Sequence, residues 1–141
     1  MNVQTVVRSY QNIRGNNVRE YKFRAWDNYH QEMINWDQYK DELVSDDFIN
    51  HGQGPLVVMQ YTGIKDDNGK EIYEGDIVEG GHFSPLSKEF YSKLYEVTFK
   101  EGNYMAKLIG YSPYGDTFLR FIEGVVIGNI YENKELLKGE E

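Results

Sequence analysis

Residues 56–79 read Leu56-Val57-Val58-Met59-Gln60-Tyr61, Thr62 through Asp66, Asp67-Asn68-Gly69, Glu71-Ile72-Tyr73, Glu74-Gly75-Asp76 and Ile77-Val78-Glu79. Leu56 to Tyr61 is a continuous apolar run rich in β-branched side chains, the composition of a buried strand. Asn68-Gly69 is a strong short hairpin signal, because both residues tolerate the positive φ of a type I′ turn. Glu71-Ile72-Tyr73 then returns antiparallel, Glu74-Gly75-Asp76 turns again, and Ile77 begins a further strand that Gly80-Gly81 closes. Three short strands on two glycine turns, with no long helix between them, predict an antiparallel β fold.

Downstream, Ser84-Pro85 has the form of a helix start, with Ser as N-cap and Pro in the first turn. Leu86, Phe90 and Leu94 recur every four residues, one face of an inserted short helix. Tyr95, Val97 and Phe99 then alternate with Glu96 and Thr98, and Lys100 to Asn103 turn the chain into a returning strand at 104–109. Residues 118–122 and 124–131 read as the last strands, and 132–138 as a C-terminal helical turn.

Upstream, Tyr21 to Trp26 alternates as a strand, with Tyr21, Phe23 and Ala25 on one face and Lys22, Arg24 and Trp26 on the other. A polar gap at 27–32 suits a hairpin loop before Met33 to Trp36. Residues 37–54 hold five acids against Lys40 and read as a loop or short helix. Residues 1–19 carry Arg8, Arg14 and Arg19 with no acid and read as a flexible N-terminal arm. One β-rich domain, 20–141, remains: mainly β, a small antiparallel β-barrel or sandwich with one inserted short helix.

Composition limits the chemistry. The 141 residues contain no cysteine, which excludes disulfides, thiol nucleophiles and cysteine-based zinc sites. The apolar run at 56–59 is far below the ~20 residues of a membrane helix, and the N-terminus has no apolar core of a secretory signal. These features predict a cytoplasmic protein without a membrane partner. The chain carries −8; the +3 of residues 1–19 leaves −11 on residues 20–141. That excess disfavours a phosphate backbone as partner.

Three stretches then stand together: Lys22-Phe23-Arg24-Ala25-Trp26-Asp27; Gln60 to Asp66 continuing through Asn68-Gly69 to Val78; and Val126-Ile127-Gly128-Asn129-Ile130-Tyr131-Glu132-Asn133 with Glu135-Leu136-Leu137. In this order they resemble the YopX family of bacteriophage and prophage proteins, from about Tyr21 to Leu137. The resemblance implies a phage- or prophage-encoded product of the bacterial cytoplasm with a β-rich domain. It brings no established enzymatic activity and no functional residues, and nothing in it extends to the arm.

The candidate chemistries are therefore weighed residue by residue. With Gly69 at the sixth position of a calcium loop, Ile64 and Gly75 fall at its ends, where carboxylates are required; Asp66 to Gly69 reads as a turn. Glu71, Glu74 and Asp76 cluster without an accompanying His or Lys motif, so a carboxylate–metal hydrolase or nuclease ranks last. His30, His51 and His82 sit in separate loops without ligand spacing. No catalytic residue, metal or cofactor is predicted.

What remains is binding. Lys22, Arg24 and Trp26 on one strand face would make a stacking platform for single-stranded nucleic acid; the plainer account lays Arg24 over Trp26. Tyrosine supplies twelve of the aromatic residues, and Tyr29, Tyr39, Tyr91, Tyr111 and Tyr114 fall in loops or at element ends, where rings suit interfaces. The predicted interaction surface is Lys22, Arg24, Trp26, Tyr29, Tyr39, Tyr111 and Tyr114. The expected partner is an unidentified protein or a second copy of the chain, with nucleic acid, through the arm and the Lys22–Trp26 strand, as the alternative.

Overall fold

The computed structural model describes residues 19–41, 54–112 and 115–138. The N-terminal arm except Arg19, most of the acidic 37–54 stretch and Tyr114 lie outside the described residues. Among the described residues, nine strands form two antiparallel sheets. The first has the order β2-β1-β3-β4, from β1 (Phe23–Asp27), β2 (Glu32–Ile34), β3 (Leu56–Lys65) and β4 (Glu71–Tyr73). The second has the order β8-β7-β6-β5-β9, from β5 (Asp76–Ser84), β6 (Glu89–Lys100), β7 (Asn103–Leu108), β8 (Thr117–Phe118) and β9 (Glu123–Asn129). The mainly β antiparallel reading holds.

The helix expected from Ser84 to Leu94 is absent. β5 runs straight through Gly80-Gly81, and Ser84 pairs with Glu89 at the end of a hairpin with β6. Pro85 sits in that turn, and Lys88 takes a φ of 58° to close it. A four-residue spacing is also a multiple of the strand period of two, so Leu86, Phe90 and Leu94 never discriminated helix from strand. Leu86 is 98% exposed and packs no core. The short helix of this fold is α1 (Trp36–Tyr39), started by Asn35, whose side chain accepts from Gln38 N–H while Gln38 Oε1 accepts from Asn35 N–H.

Two turns differ from expectation as well. At Asp66–Lys70 the Gly69 N–H donates to Asp66 O and only Gly69 has positive φ, 81°. This is a type I turn closed by a glycine bulge rather than a type I′ turn. After β8 the chain winds into a 3-10 turn at Leu119–Phe121, which drives Leu119 into the core, so no strand spans 118–122. The C-terminal helical turn forms as a 3-10 helix at Lys134–Lys138.

Two cores result. Ile72 from β4 packs with Val78, Val97, Ala106 and Leu119 against the second sheet, with Ile64 of β3 and Tyr95, Tyr104, Ile122 and Val126 around them. Tyr39 of α1 packs with Ala25 of β1 and Val58 of β3 to form the other. The Glu74-Gly75-Asp76 corner joins the sheets: Gly75 N–H donates to Val97 O, and Ile130 N–H donates to Gly75 O. A second joint covers the free edge of β9, where Asp67 N–H donates to Gly124 O and Val126 N–H donates to the Asp66 carboxylate. An open strand edge is thereby blocked by the chain's own hairpin.

Candidate binding site

The three stretches singled out in the sequence meet one another. Arg24 Nη2 donates to Asp76 Oδ1 at 2.8 Å and to Glu74 O at 3.1 Å, and its guanidinium lies 5.0 Å from the Tyr73 ring centre. Asp76 also accepts from Tyr73 N–H. Burial pushes the Asp76 carboxyl up, and Arg24 and the Tyr73 N–H only partly offset it. Trp26 stacks on Tyr131, with ring centres 5.3 Å apart and planes 17° apart. Arg24 therefore covers Tyr73, not Trp26 as expected from strand alternation.

Lys22 is held by Glu71 at 3.0 Å and Glu20 at 3.1 Å. Burial disfavours its charge, but those two carboxylates carry its pKa up to about 12. Trp26 is only 5% exposed. All three members of the expected strand platform are thus engaged within the chain. The carboxylate trio is engaged too: Glu71 by Lys22, Asp76 by Arg24, and Glu74 Oε1 by the Gln60 N–H.

A group that the sequence reading missed lies at the β1–β2 hairpin. Asp27, His30 and Glu32 offer ligand atoms all within 4.8 Å of one another. The signal in the sequence is their spacing of three and two, across a turn closed by Gln31 at φ 56°. Asp27 Oδ1 accepts from Tyr29 N–H and His30 N–H, and Oδ2 lies 2.7 Å from His30 Nδ1. These contacts lower the Asp27 pKa and raise that of His30. As placed, the group builds the turn.

The tyrosines divide. Tyr39 is buried at 1% exposure, under β1 and β3, and Tyr91 lies within β6, hydrogen-bonded to Ser87 and Glu89. Tyr29 packs edge-on against His30 and is 82% exposed. Tyr111 is 87% exposed and stands at the rim of a cleft of about 550 Å³.

That cleft is a concavity of the size that small ligands and side chains occupy. Its apolar lining is Leu94, Leu108, Ile109 and Leu136; Glu79, Glu135 and Lys93 add one net negative charge. Ile109 N–H donates to Leu94 O, carrying the β6–β7 pairing to the cleft floor, and Gly110 at φ 113° turns the chain so that Tyr111 projects. The opposite wall is set by Asn129, whose side-chain oxygen accepts from Tyr131 and Glu132 N–H while its own N–H donates to Asn133 Oδ1. This knot aims the Lys134–Lys138 turn at the sheet. Leu136 belongs to a matched stretch, but no spacing in the sequence brings it to Leu94.

A family model described as YopX protein matches residues 22–138. Among solved structures, protein EF1440 from Enterococcus faecalis is 27% identical, with a TM-score of 0.56 over 85% of this chain and 99% of that one. Protein yopX from Bacillus subtilis is 23% identical, with a TM-score of 0.53 over 85% of this chain and 98% of that one, a likeness of fold. No curated protein matches. Among the described residues no helix is long and apolar enough to cross a membrane.

Proposed function

The chain belongs to the YopX family, and from that premise we propose a phage- or prophage-encoded accessory protein of the bacterial cytoplasm that works without catalysis, as a protein–protein interaction module open to self-association. The observation that carries this reading is the cleft at the β6–β7 end, where leucine and isoleucine side chains are mixed with charged ones and an exposed Tyr111 stands at the rim. Aromatic rings beside concave, partly apolar surface are enriched among interface anchors. The nucleic-acid alternative draws no support from the Lys22–Trp26 strand, whose cations are already paired and whose indole is buried.

The test is co-purification from phage-infected cells, with and without nuclease, alongside sedimentation of the purified chain. Protein partners that survive nuclease and are lost in Tyr111→Ala support the reading. Partners that disappear with nuclease, or that bind Tyr111→Ala equally well, overturn it.

A further inference from the structure

A second surface lies on the β8 side of the five-stranded sheet. β8 ends that sheet and, among the described residues, pairs on one side only, Phe118 with Met105 and Thr117 with Ala106. Cross-strand partners share a face. Met105 in turn faces Thr98, Asn103 faces Lys100, and Lys107 faces Glu96. One face of β6–β7–β8 therefore carries Lys100, Met105, Lys107 and Phe118. The 3-10 turn that buries Leu119 leaves Arg120 and Phe121 outside, Phe121 being 65% exposed.

Phe118 and Phe121 pack edge to face with centres 5.9 Å apart, and the Arg120 guanidinium lies 4.7 Å and 4.9 Å from the two ring centres. None of the ion pairs among the described residues engages Lys100, Lys107 or Arg120. Three exposed cations and two exposed rings thus lie on this part of the sheet, with Glu96 opposite Lys107 and Asp116 two residues before Phe118 as the acids beside them, on a chain of net charge −8.

We propose that this face docks an acidic peptide segment with an apolar or aromatic anchor, added along the open edge of β8. Charge complementarity selects the acid: a guanidinium held over two rings has donors left for a carboxylate, which it takes in a planar, bidentate pair. Unpaired among the described residues, the two-residue edge of β8 offers a short backbone segment on which an incoming strand can start. A single-stranded nucleic acid fits less well. Arg120 already covers both rings, so bases would have to displace it to stack, and the net charge of the chain repels a polyanion.

A random short-peptide library selected on the full chain tests this, read by binding of the recovered peptides to wild type, Arg120→Glu, Phe121→Ser and Tyr111→Ala. Recovered peptides should pair Asp or Glu with Leu or an aromatic residue. Arg120→Glu and Phe121→Ser should weaken them by at least about tenfold, as for an interface anchor, with unchanged thermal midpoints. Tyr111→Ala should bind them as wild type does, which separates this surface from the cleft. The proposal is overturned by peptides without acids, by affinities unchanged in Arg120→Glu, or by oligothymidylate binding in preference to the peptides. Concentration-dependent self-association abolished by Arg120→Glu also overturns it, by assigning the face to a second copy.

Discussion

The Arg24 guanidinium and the Asp76 carboxylate, fifty-two positions apart in sequence, form an ion pair of 2.8 Å in which Asp76 is 2% and Arg24 12% exposed at the side chain. The pair ties β1 to the corner from which β5 departs. Breaking a buried pair by removing one partner typically costs about 3–5 kcal/mol, because the other charge is left buried and uncompensated. Arg24→Met and Asp76→Leu should each lose stability on that scale in urea unfolding. The double variant should lose less than the sum of the two. Single losses below about 1 kcal/mol, the scale of a surface pair, would show that the pair does not hold the joint.

Asp66 gives the fold an acid-sensitive joint. Burial opposes its charge, but N–H donation from Val126, Lys70 and Asn68 outweighs burial and holds its pKa below the ordinary 3.8. A carboxylate depressed on folding stabilises above its unfolded pKa, and that contribution is lost as pH falls through the folded value. Asp76, raised by burial, has the opposite sign: its folded form holds the proton longer, so stability declines as pH rises from 3.8 through its folded pKa. Urea midpoints followed from neutral pH into acid should drop for wild type below pH 3.8. Asp66→Asn should be weaker at neutral pH by about 1–3 kcal/mol and should show a shallower acid-side drop, the part due to Asp27 remaining. An identical acid slope in both proteins would contradict the assignment.

His30 reports on the hairpin turn. Its hydrogen bond and charge pairing with Asp27 raise its pKa above 6.5. The pairing favours the folded state fully below 6.5 and ceases as pH rises through the folded value. A proton NMR titration should place the His30 midpoint above 6.5 in wild type and move it back toward 6.5 in Asp27→Asn. Equal midpoints would mean that the two side chains do not meet in solution.

Gly81 separates two strands that leave no room for a side chain: a Cβ there would overlap the Tyr91 carbonyl across the β5–β6 pair. Gly81→Ala should cost about 3 kcal/mol or more, at the upper end of overpacking effects, since backbone must move. Gly102 has open space around a φ of 81°, so Gly102→Ala should cost about 1 kcal/mol from backbone strain alone. Equal losses at the two positions, measured by thermal unfolding, would contradict the close approach.

Much of the β framework was legible because strand alternation and glycine turns are local signals. Leu56–Tyr61, Glu71–Tyr73 and Tyr95–Phe99 all fall within strands. The helix assigned to Ser84–Leu94 failed because Ser-Pro serves a turn as well as a helix start, and because its apolar spacing fits both periods. The face carrying Lys22, Arg24 and Trp26 was read as a surface because alternation shows which residues share a face, not which face is covered. Long-range partners Asp76 and Tyr131 cover it. The cleft was illegible for the same reason: Leu94, Leu108 and Leu136 come from three separate elements, and only Tyr111 at its rim had been marked as a candidate.

The cleft carries the functional account, and its most direct test is nuclease-treated co-purification from phage-infected cells with wild type, Tyr111→Ala and Leu136→Ser run in parallel, each first shown to unfold at the wild-type temperature. The account expects a protein partner, or a second copy of the chain, retained by wild type and lost in both variants. A partner retained equally by all three would contradict it.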